Sequence, residues 1–398
     1  MKNLLKRMEK LTDEMKDILI KYRRDIHQNP ELSGMEKKTS TYVATVLKAN
    51  DIEVVRNVGG YGVVGIINGK RGGKTIALRA DMDALPLHDD KKKDYASKVS
   101  GAMHSCGHDV HTAVLLGVAT VLSKMKAEYK GNVKLIFQPS EERPGGGAWD
   151  MIQKGVLENP TPSAIIALHV FPDLPSGEIG CKPGVITAST DGFAITIHGK
   201  SGHAARPHQT IDAILVASHV IETLQHIISR RIDPLHPAVI TIGTISGGTA
   251  ANIVADRVEL TGTVRSLNPE IRGKLPQLME QVIKGITEAM GGSYEFTFTQ
   301  GNPSVVNDEE IASLIITSAK DILGDDKVVE LEEPTMGGED FSLFTEKIPG
   351  SFFRLGTSNP EKGIIHPLHH RLFDVDEDAI LVGVKVMAWS VIRFLKEN

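Results

Sequence analysis

An α/β protein with a mostly parallel sheet, interrupted by a smaller inserted domain, is predicted by three observations. The chain has 398 residues of which 41% are hydrophobic, too long for one ordinary core and long enough for two. Over roughly the first 185 residues, β-rich apolar runs alternate with helix-like segments, the pattern of a parallel sheet covered on both faces. Between about 187 and 300 the order changes to βαββαβ, a compact ferredoxin-like arrangement, and then the first pattern returns.

The elements follow in order. Helical periodicity spans 3–27, 34–49 and 109–127, and the β-rich runs are "DIEVVRNV", "GVVGII", "TIALRA", "NVKLIFQ" and "SAIIALHV". The insert reads as strand "DGFAITIHG", helix 211–230, strands "AVITIGTI" and "DRVELTGTVRSL", helix 269–290 and strand "YEFTFTQ". Helices near 308–323 and 376–396 then flank "KVVELEE" and "SFFRLG". The expected division is 1–186 with 301–398 as the larger domain and 187–300 as the insert. Pro183-Gly184 and Gly301-Asn302-Pro303 supply turn chemistry near the two crossings.

Composition narrows the function classes. Lys and Arg total 45 against 50 Asp and Glu, a formal charge of -5, which gives no general electrostatic reason to bind nucleic acid or an anionic membrane. A small molecule or short peptide is the expected partner. Only Cys106 and Cys181 occur, and charges break every apolar stretch of "MKNLLKRMEKLTDEMKD", so a reducing, cytoplasmic setting is expected. No apolar run reaches the roughly 18 residues of a membrane span.

The unusual polar residues fall at strand ends. "TIALRA" runs into Asp81-Met82-Asp83, "NVKLIFQPS" into Glu141-Glu142, and "SAIIAL" into His169. In a parallel sheet such ends share one edge, where open α/β folds place ligands. Cys106 and His108 join them from the mouth of the helix in "GAMHSCGHDV", with Gly107 permitting an irregular backbone between them. Taken singly, each is an ordinary paired acid, core histidine or buried thiol. Together they are the thiolate, imidazole and carboxylate set of a transition-metal site. Adjacent glutamates at a strand end would point to opposite faces, so one could bind metal while the other stays free as a base.

Several signals carry nothing. "GKS" at 199–201 lacks the earlier glycine of a phosphate loop, which is Ala194 here. "GGGAW" reads as a flexible loop and "HDDKKKDYASK" as a solvated one. Cys181, His198, His208, His226 and His236 have no ligand spacing and read as structural.

The motifs "RRDIHQNPELSGME", "ALRADMDALPL", "MHSCGHDVHTAVLLG", "FQPSEERPGGGA", "ALHVFPDLPSGEIG", "HGKSGHAARPHQTIDAI", "ANIVADRVELTGTVRSL" and "MGGEDFSLF" resemble, in order and over nearly the whole chain, the dinuclear-metal peptidases and amidohydrolases. That family includes hippurate hydrolase, N-acyl-L-amino acid amidohydrolase (aminoacylase) and the indole-acetyl-amino-acid hydrolases. The resemblance implies a metallopeptidase-type catalytic domain with an inserted lid and dimerisation domain. It implies two divalent ions per subunit, zinc first, with manganese, cobalt or nickel as alternatives. Cys106, His108, Glu142, His169 and a histidine of "PLHHRLFDVDE" are the implied ligands, and Glu141 the implied general base. His369 and His370 are adjacent; the family spacing ahead of Phe373 selects His369. Where the wider family has His-x-Asp and a bridging aspartate, this chain has Asp81-Met82-Asp83 and Cys106, so Asp81 and Asp83 are assigned to orienting the ligands. His203 is the implied oxyanion donor, often from a partner subunit, and Asn252 and Arg265 the implied carboxylate-binding groups.

The expected activity is metal-dependent hydrolysis of the amide bond of N-acyl-L-amino acids by a homodimer or higher homo-oligomer. Two alternatives stand beside it: a metallo-carboxypeptidase or dipeptidase, and a non-catalytic metal- or peptide-binding module. The presence of Glu141 favours an enzyme over the last.

Overall fold

The computed structural model describes residues 1–143 and 145–397, which form two compact units. The first comprises Met1–Ile186, Val306–Glu333 and Asp340 onward; the second comprises Thr187–Val305 with Pro334–Glu339.

In chain order the first unit starts with helices α1 (Lys2–Asp13), α2 (Lys16–His27) and α3 (Lys37–Ala49). Strands β1 (Glu53–Arg56), β2 (Val63–Asn68) and β3 (Lys70–Asp81) precede α4 (His108–Lys124). Then come β4 (Lys130–Gln138), α5 (Gly147–Gln153), β5 (Ala164–Pro175), β6 (Ile179–Cys181) and β7 (Gly184–Val185). The second unit holds β8 (Ser189–His198), β9 (Gly202–His203), α6 (Ala213–Arg230), β10 (Ala238–Gly247), β11 (Ile253–Val254), β12 (Arg257–Ser266), α7 (Pro269–Ala289) and β13 (Ser293–Thr299). The chain returns through β14 (Val306–Asn307), α8 (Glu309–Leu323), β15 (Val328–Glu330), α9 (Ser342–Thr345), β16 (Gly350–Ser358) and α10 (Asp378–Glu397).

The large sheet has the order β1-β2-β4-β3-β5-β16-β6-β15. Its centre, β4-β3-β5-β16, is parallel, while β1-β2, β2-β4 and β16-β6 are antiparallel. The parallel centre follows from the sequence: β4, β5 and β16 are buried in continuous runs, as strands covered on both faces must be. Helix α4 is buried along nearly its whole length, so it carries apolar residues on every side instead of one stripe. Burial of a side chain such as Leu115 or Leu116, both 0% exposed, stabilises by about 2 kcal/mol. Gly117 lets α2 and α10 approach: a Cβ there would lie 2.6 Å from Leu19 and 2.7 Å from Val384.

In the second unit, α6 and α7 cover one face of the sheet β10-β12-β8-β13. Phe193, Ile195 and Ile197 alternate inward on β8, the period of a half-buried strand. Asp212 and Asn268 cap α6 and α7, each accepting two backbone N–H groups of the first turn.

Two expectations change. Pro334–Glu339 belongs with the second unit, since the Thr335 carbonyl accepts from Ala188 N–H at 3.0 Å; no local pattern in "PTMGGE" encodes that long-range pairing. The "GGGAW" stretch is not simply loop: Gly147 starts the short helix α5, and the glycines before it supply the positive φ needed to enter it.

Candidate metal centre

All the chemistry-bearing residues of the first unit gather where the parallel strands end. β3 stops at Asp81, which pairs in register with Gln138, the last residue of β4. β3 and β5 separate after Arg79 and Ala167, leaving His169 two residues beyond their last pairing. Gly107 precedes α4 at φ +82°, and a Cβ there would lie 2.3 Å from Val170, so only glycine turns the chain tightly enough to place Cys106 and His108 together. His369 comes from the loop before α10, with its backbone N–H donating to the Ser105 carbonyl at 2.8 Å.

Cys106 is the hub. Its Sγ lies 3.4 Å from Nε2 of His169 and 3.4 Å from Nε2 of His369. His369 Nε2 is in turn 3.4 Å from Glu142 Oε1, and His108 Nε2 is 4.0 Å from the same oxygen. Two triads result, Cys106-His108-His169 and Cys106-Glu142-His369, each with its donor atoms within 4.8 Å of one another. His370 turns elsewhere, its ring stacked on His366 at 4.5 Å.

The donors fit a pair of divalent ions. Bonds of about 2.0–2.3 Å at tetrahedral angles put neighbouring ligand atoms roughly 3.3–3.8 Å apart, the spacing found around Cys106. His108 Nδ1 donates to the Asp83 carbonyl at 2.9 Å and His169 Nδ1 to the Val170 carbonyl at 2.7 Å, so both rings turn Nε2 toward the centre, where a metal ion would take the place of any proton. His108 Nε2 and Glu142 Oε1 are buried without a hydrogen-bond partner, a costly state that a cation would relieve. The centre is closed on the His108 side, at 0% exposed, and open at His369, whose side chain is 55% exposed.

Electrostatics agree with that reading. Burial, reinforced by Glu142, pushes the Cys106 thiol well above its ordinary range, so a thiolate here needs a cation. Burial opposes charge on His108, yet the Asp81 carboxylate and Cys106 outweigh it and raise its pKa well above the usual value. Burial would also raise Asp81, but His108, His111 and Arg79 hold it well below the ordinary carboxylate range.

Asp83 and Asp81 take different parts. Asp83 accepts from His108 through both its carbonyl and its carboxylate and also accepts the Glu142 N–H at 3.0 Å. Asp81 accepts from Arg79 at 2.7 Å and from His111 at 2.5 Å. His111 and Arg79 are missing from the sequence-derived set. His111 stands three residues after His108 on α4, which was signal enough to put both on one helix face. Arg79 had no signal beyond being charged inside an apolar strand.

The two glutamates depart from expectation. They lie in a turn after β4, beyond Ser140 at φ +59°, and both carboxylates come within 4.8 Å of each other and of His108. Strand alternation no longer applies there, because the strand has ended three residues earlier.

In the second unit, β9 pairs with β11, placing His203 opposite Ile253 and beside Asn252, whose carbonyl accepts from Ala204 N–H at 3.1 Å. Arg265 is elsewhere. Near the His203 end β12 begins at Arg257, opposite His198, and Arg265 is eight residues further on, a rise of roughly 26 Å. Asn252, expected to work with Arg265, lies beside the separate two-stranded β9-β11 pair, whereas Arg265 is near the far end of β12 in the four-stranded sheet.

The sequence profile of Peptidase family M20/M25/M40 matches residues 77–392. The chain belongs to this family. A dinuclear metal-binding M20 peptidase from Bacillus subtilis superposes with a TM-score of 0.85 at 37% identity, covering 97% of this chain and 100% of that one. Among relatives, thermostable carboxypeptidase 2 of Saccharolobus solfataricus is 42% identical over 393 residues, 97% of this chain and 98% of its own. N-acetylcysteine deacetylase of Bacillus subtilis is 41% identical over 372 residues, 93% of this chain and 95% of its own. This M20 chain is a hydrolase with a mixed, mostly parallel α/β fold. No described helix is long and apolar enough to cross a membrane.

Proposed function

We propose that this M20 hydrolase cleaves the amide bond of N-acyl-L-amino acids, releasing a carboxylic acid and a free amino acid. The observation that carries the reading is the pair of ligand triads sharing Cys106, with the Glu141 carboxylate set beside His108 and Glu142. The deacetylase relative supports the N-acyl class.

Cys106, His108, Glu142, His169 and His369 would hold two divalent ions, zinc in the first instance and manganese, cobalt or nickel otherwise. When bound, such ions supply an acidified water and a polarised amide carbonyl. Asp83 keeps the His108 proton on Nδ1, and Asp81 holds His111. Glu141 accepts the proton of the attacking water and passes it to the departing amine nitrogen. His203 donates to the developing oxyanion, and the fork of Arg265 takes the substrate carboxylate, with Asn252 adding a donor.

The separation of about 26 Å along β12 bears on assembly. The placement of Arg265 that far along β12 from Arg257 supports a site completed by two copies, one giving Arg265 and the other the His203-Asn252 pair. A homodimer joined through the inserted unit, which also serves as a lid, meets that need. A cytoplasmic setting accords with both cysteines being free.

A second reading, carboxypeptidase or dipeptidase, is favoured by the carboxypeptidase relative. The two readings share the scissile bond and the free carboxylate and differ in what stands on the acyl side. A panel of N-acetyl, N-benzoyl and longer N-acyl amino acids with matched dipeptides, assayed for released amine after metal loading, separates them. Faster turnover of the dipeptides would displace the N-acyl reading.

A further inference from the structure

The segment "PELSGME" is absorbed by none of the roles above, and the structure sets it against the strand ends that carry the centre. Leu32 bridges Ala84, and the Ala84 N–H donates to the Glu31 carbonyl at 2.8 Å, fixing the segment along the chain that leaves β3. Ser33 Oγ donates to the Asp83 carboxylate at 2.7 Å. The same Asp83 oxygen takes the Glu142 N–H.

Glu36 is the unusual member. It occupies the N-cap position of α3, yet its side chain makes no capping bond. Glu31 caps that helix instead, accepting from Lys38 N–H, Thr39 N–H and the Thr39 hydroxyl. The Glu36 carboxylate points inward at 0% exposed. Its Oε1 accepts from Gly34 N–H at 2.9 Å, from Ser140 N–H at 2.8 Å and from the Ser140 hydroxyl at 3.2 Å.

Ser140 is where the chain turns out of β4 toward the two glutamates, and it does so at φ +59°, a conformation unfavourable for a residue with a Cβ. On its other side the Ser140 carbonyl accepts from Gly147 N–H at 2.9 Å. A buried carboxylate from a distant helix thus holds the one peptide whose strained geometry aims Glu141.

We propose that Glu36 is a positioning residue for the hydrolytic reaction: as an acceptor for the Ser140 N–H and hydroxyl, it fixes the left-handed turn that brings Glu141 to the metal-side water. This rests on the general-base role of Glu141. Small displacements of a reacting group cost up to about a hundredfold in rate, so the effect belongs in kcat.

The test compares Glu36→Gln, Glu36→Asp, Glu36→Ala and Glu141→Gln in the full-length, metal-loaded enzyme, using the best substrate of the panel above. Metal content and Tm are measured on each. Gln keeps a carbonyl oxygen at Oε1 and puts its amide where Oε2 has no partner, so kcat should stay within about threefold of wild type. Asp keeps the charge but falls one methylene short, and Ala removes the acceptor. Both should lower kcat by about tenfold to a hundredfold with KM within about threefold and metal load unchanged. If the Ala protein does not fold, the Asp protein carries the test. A Glu36→Asp enzyme with wild-type kcat overturns the proposal, as does a loss that appears only as missing metal or lower Tm, or a Gln enzyme as slow as Asp. Full activity of Glu141→Gln would instead overturn the base assignment itself.

Discussion

The backbone N–H of Val170 donates to Nε2 of His111 at 2.9 Å. Since that nitrogen accepts, the His111 proton sits on Nδ1 and goes to Asp81, and the ring is occupied at both ends. His111 lies among the ligands without being free to bind metal. It holds instead the peptide after His169, whose own Nδ1 is tied to the carbonyl of the same Val170.

Replacing His111 by Phe keeps a ring of similar bulk and removes both bonds. Metal affinity should fall by about tenfold to a hundredfold, the usual effect of losing a partner behind a metal ligand. Titration of the apo protein with zinc against a competing chelator measures it, and an unchanged affinity would show that the Val170 contact does not support the centre.

Cys106 links both triads, so it should bind as thiolate. In the metal-free protein its burial raises the thiol pKa and slows alkylation, contrary to the ready labelling an exposed thiol would show. Cobalt-loaded protein should carry a near-ultraviolet thiolate-to-metal absorption that Cys106→Ser lacks. The same band in wild type and mutant would exclude the thiol from the centre.

If His203 acts from a second copy, two dead proteins can repair each other. Glu141→Gln and His203→Ala subunits, each inactive alone, should regain part of the wild-type turnover after subunit exchange, because one site of the hybrid receives both intact groups. The physical ground is the length of β12 between Arg257 and Arg265, with His203 and Asn252 held at the separate β9-β11 pair. Hybrids no faster than their parents, with exchange verified, would place the oxyanion donor within one chain.

Behind the centre, buried Arg23 pairs with Asp109 and Asp374, each at 2.8 Å, and His27 joins Asp109 to Asp89. Burial would raise these acids, but Arg23 at Asp109 and Asp374, and His27 at Asp109 and Asp89, hold them below the ordinary range. With folded-state pKa values below the unfolded value of about 3.9, the acids contribute stability that is fully present above that pH and lost progressively as pH falls from there through the folded-state values. Asp109→Asn should cost about 3–5 kcal/mol at neutral pH by leaving Arg23 short of a partner. Thermal melts of metal-free protein between about pH 3 and 7 should show the mutant curve flatter, with the gap to wild type narrowing as pH falls below about 4. Parallel curves would mean that Asp109 titrates alike folded and unfolded.

The division of labour between sequence and structure follows range. Continuous apolar runs in "KLIFQ" and "AIIAL" can be satisfied only by strands covered on both faces, so the sequence by itself determined the parallel centre of the sheet. Once the strands are parallel, their ends must share an edge, and that made Asp81, Asp83, Cys106, His108, Glu141, Glu142 and His169 legible as one cluster. Tertiary structure alone decided which atoms face each other. It separated His369 from His370 through the backbone bond to Ser105, bent the chain at Ser140 so that both glutamates face His108, and brought Glu36 under that bend. It also set Asn252 beside the β9-β11 pair and Arg265 near the far end of β12, in sheets whose registers no local pattern records. Local propensity reports what one residue needs from its neighbours in sequence, whereas donor distances depend on side chains that meet only after the chain has closed loops of many residues.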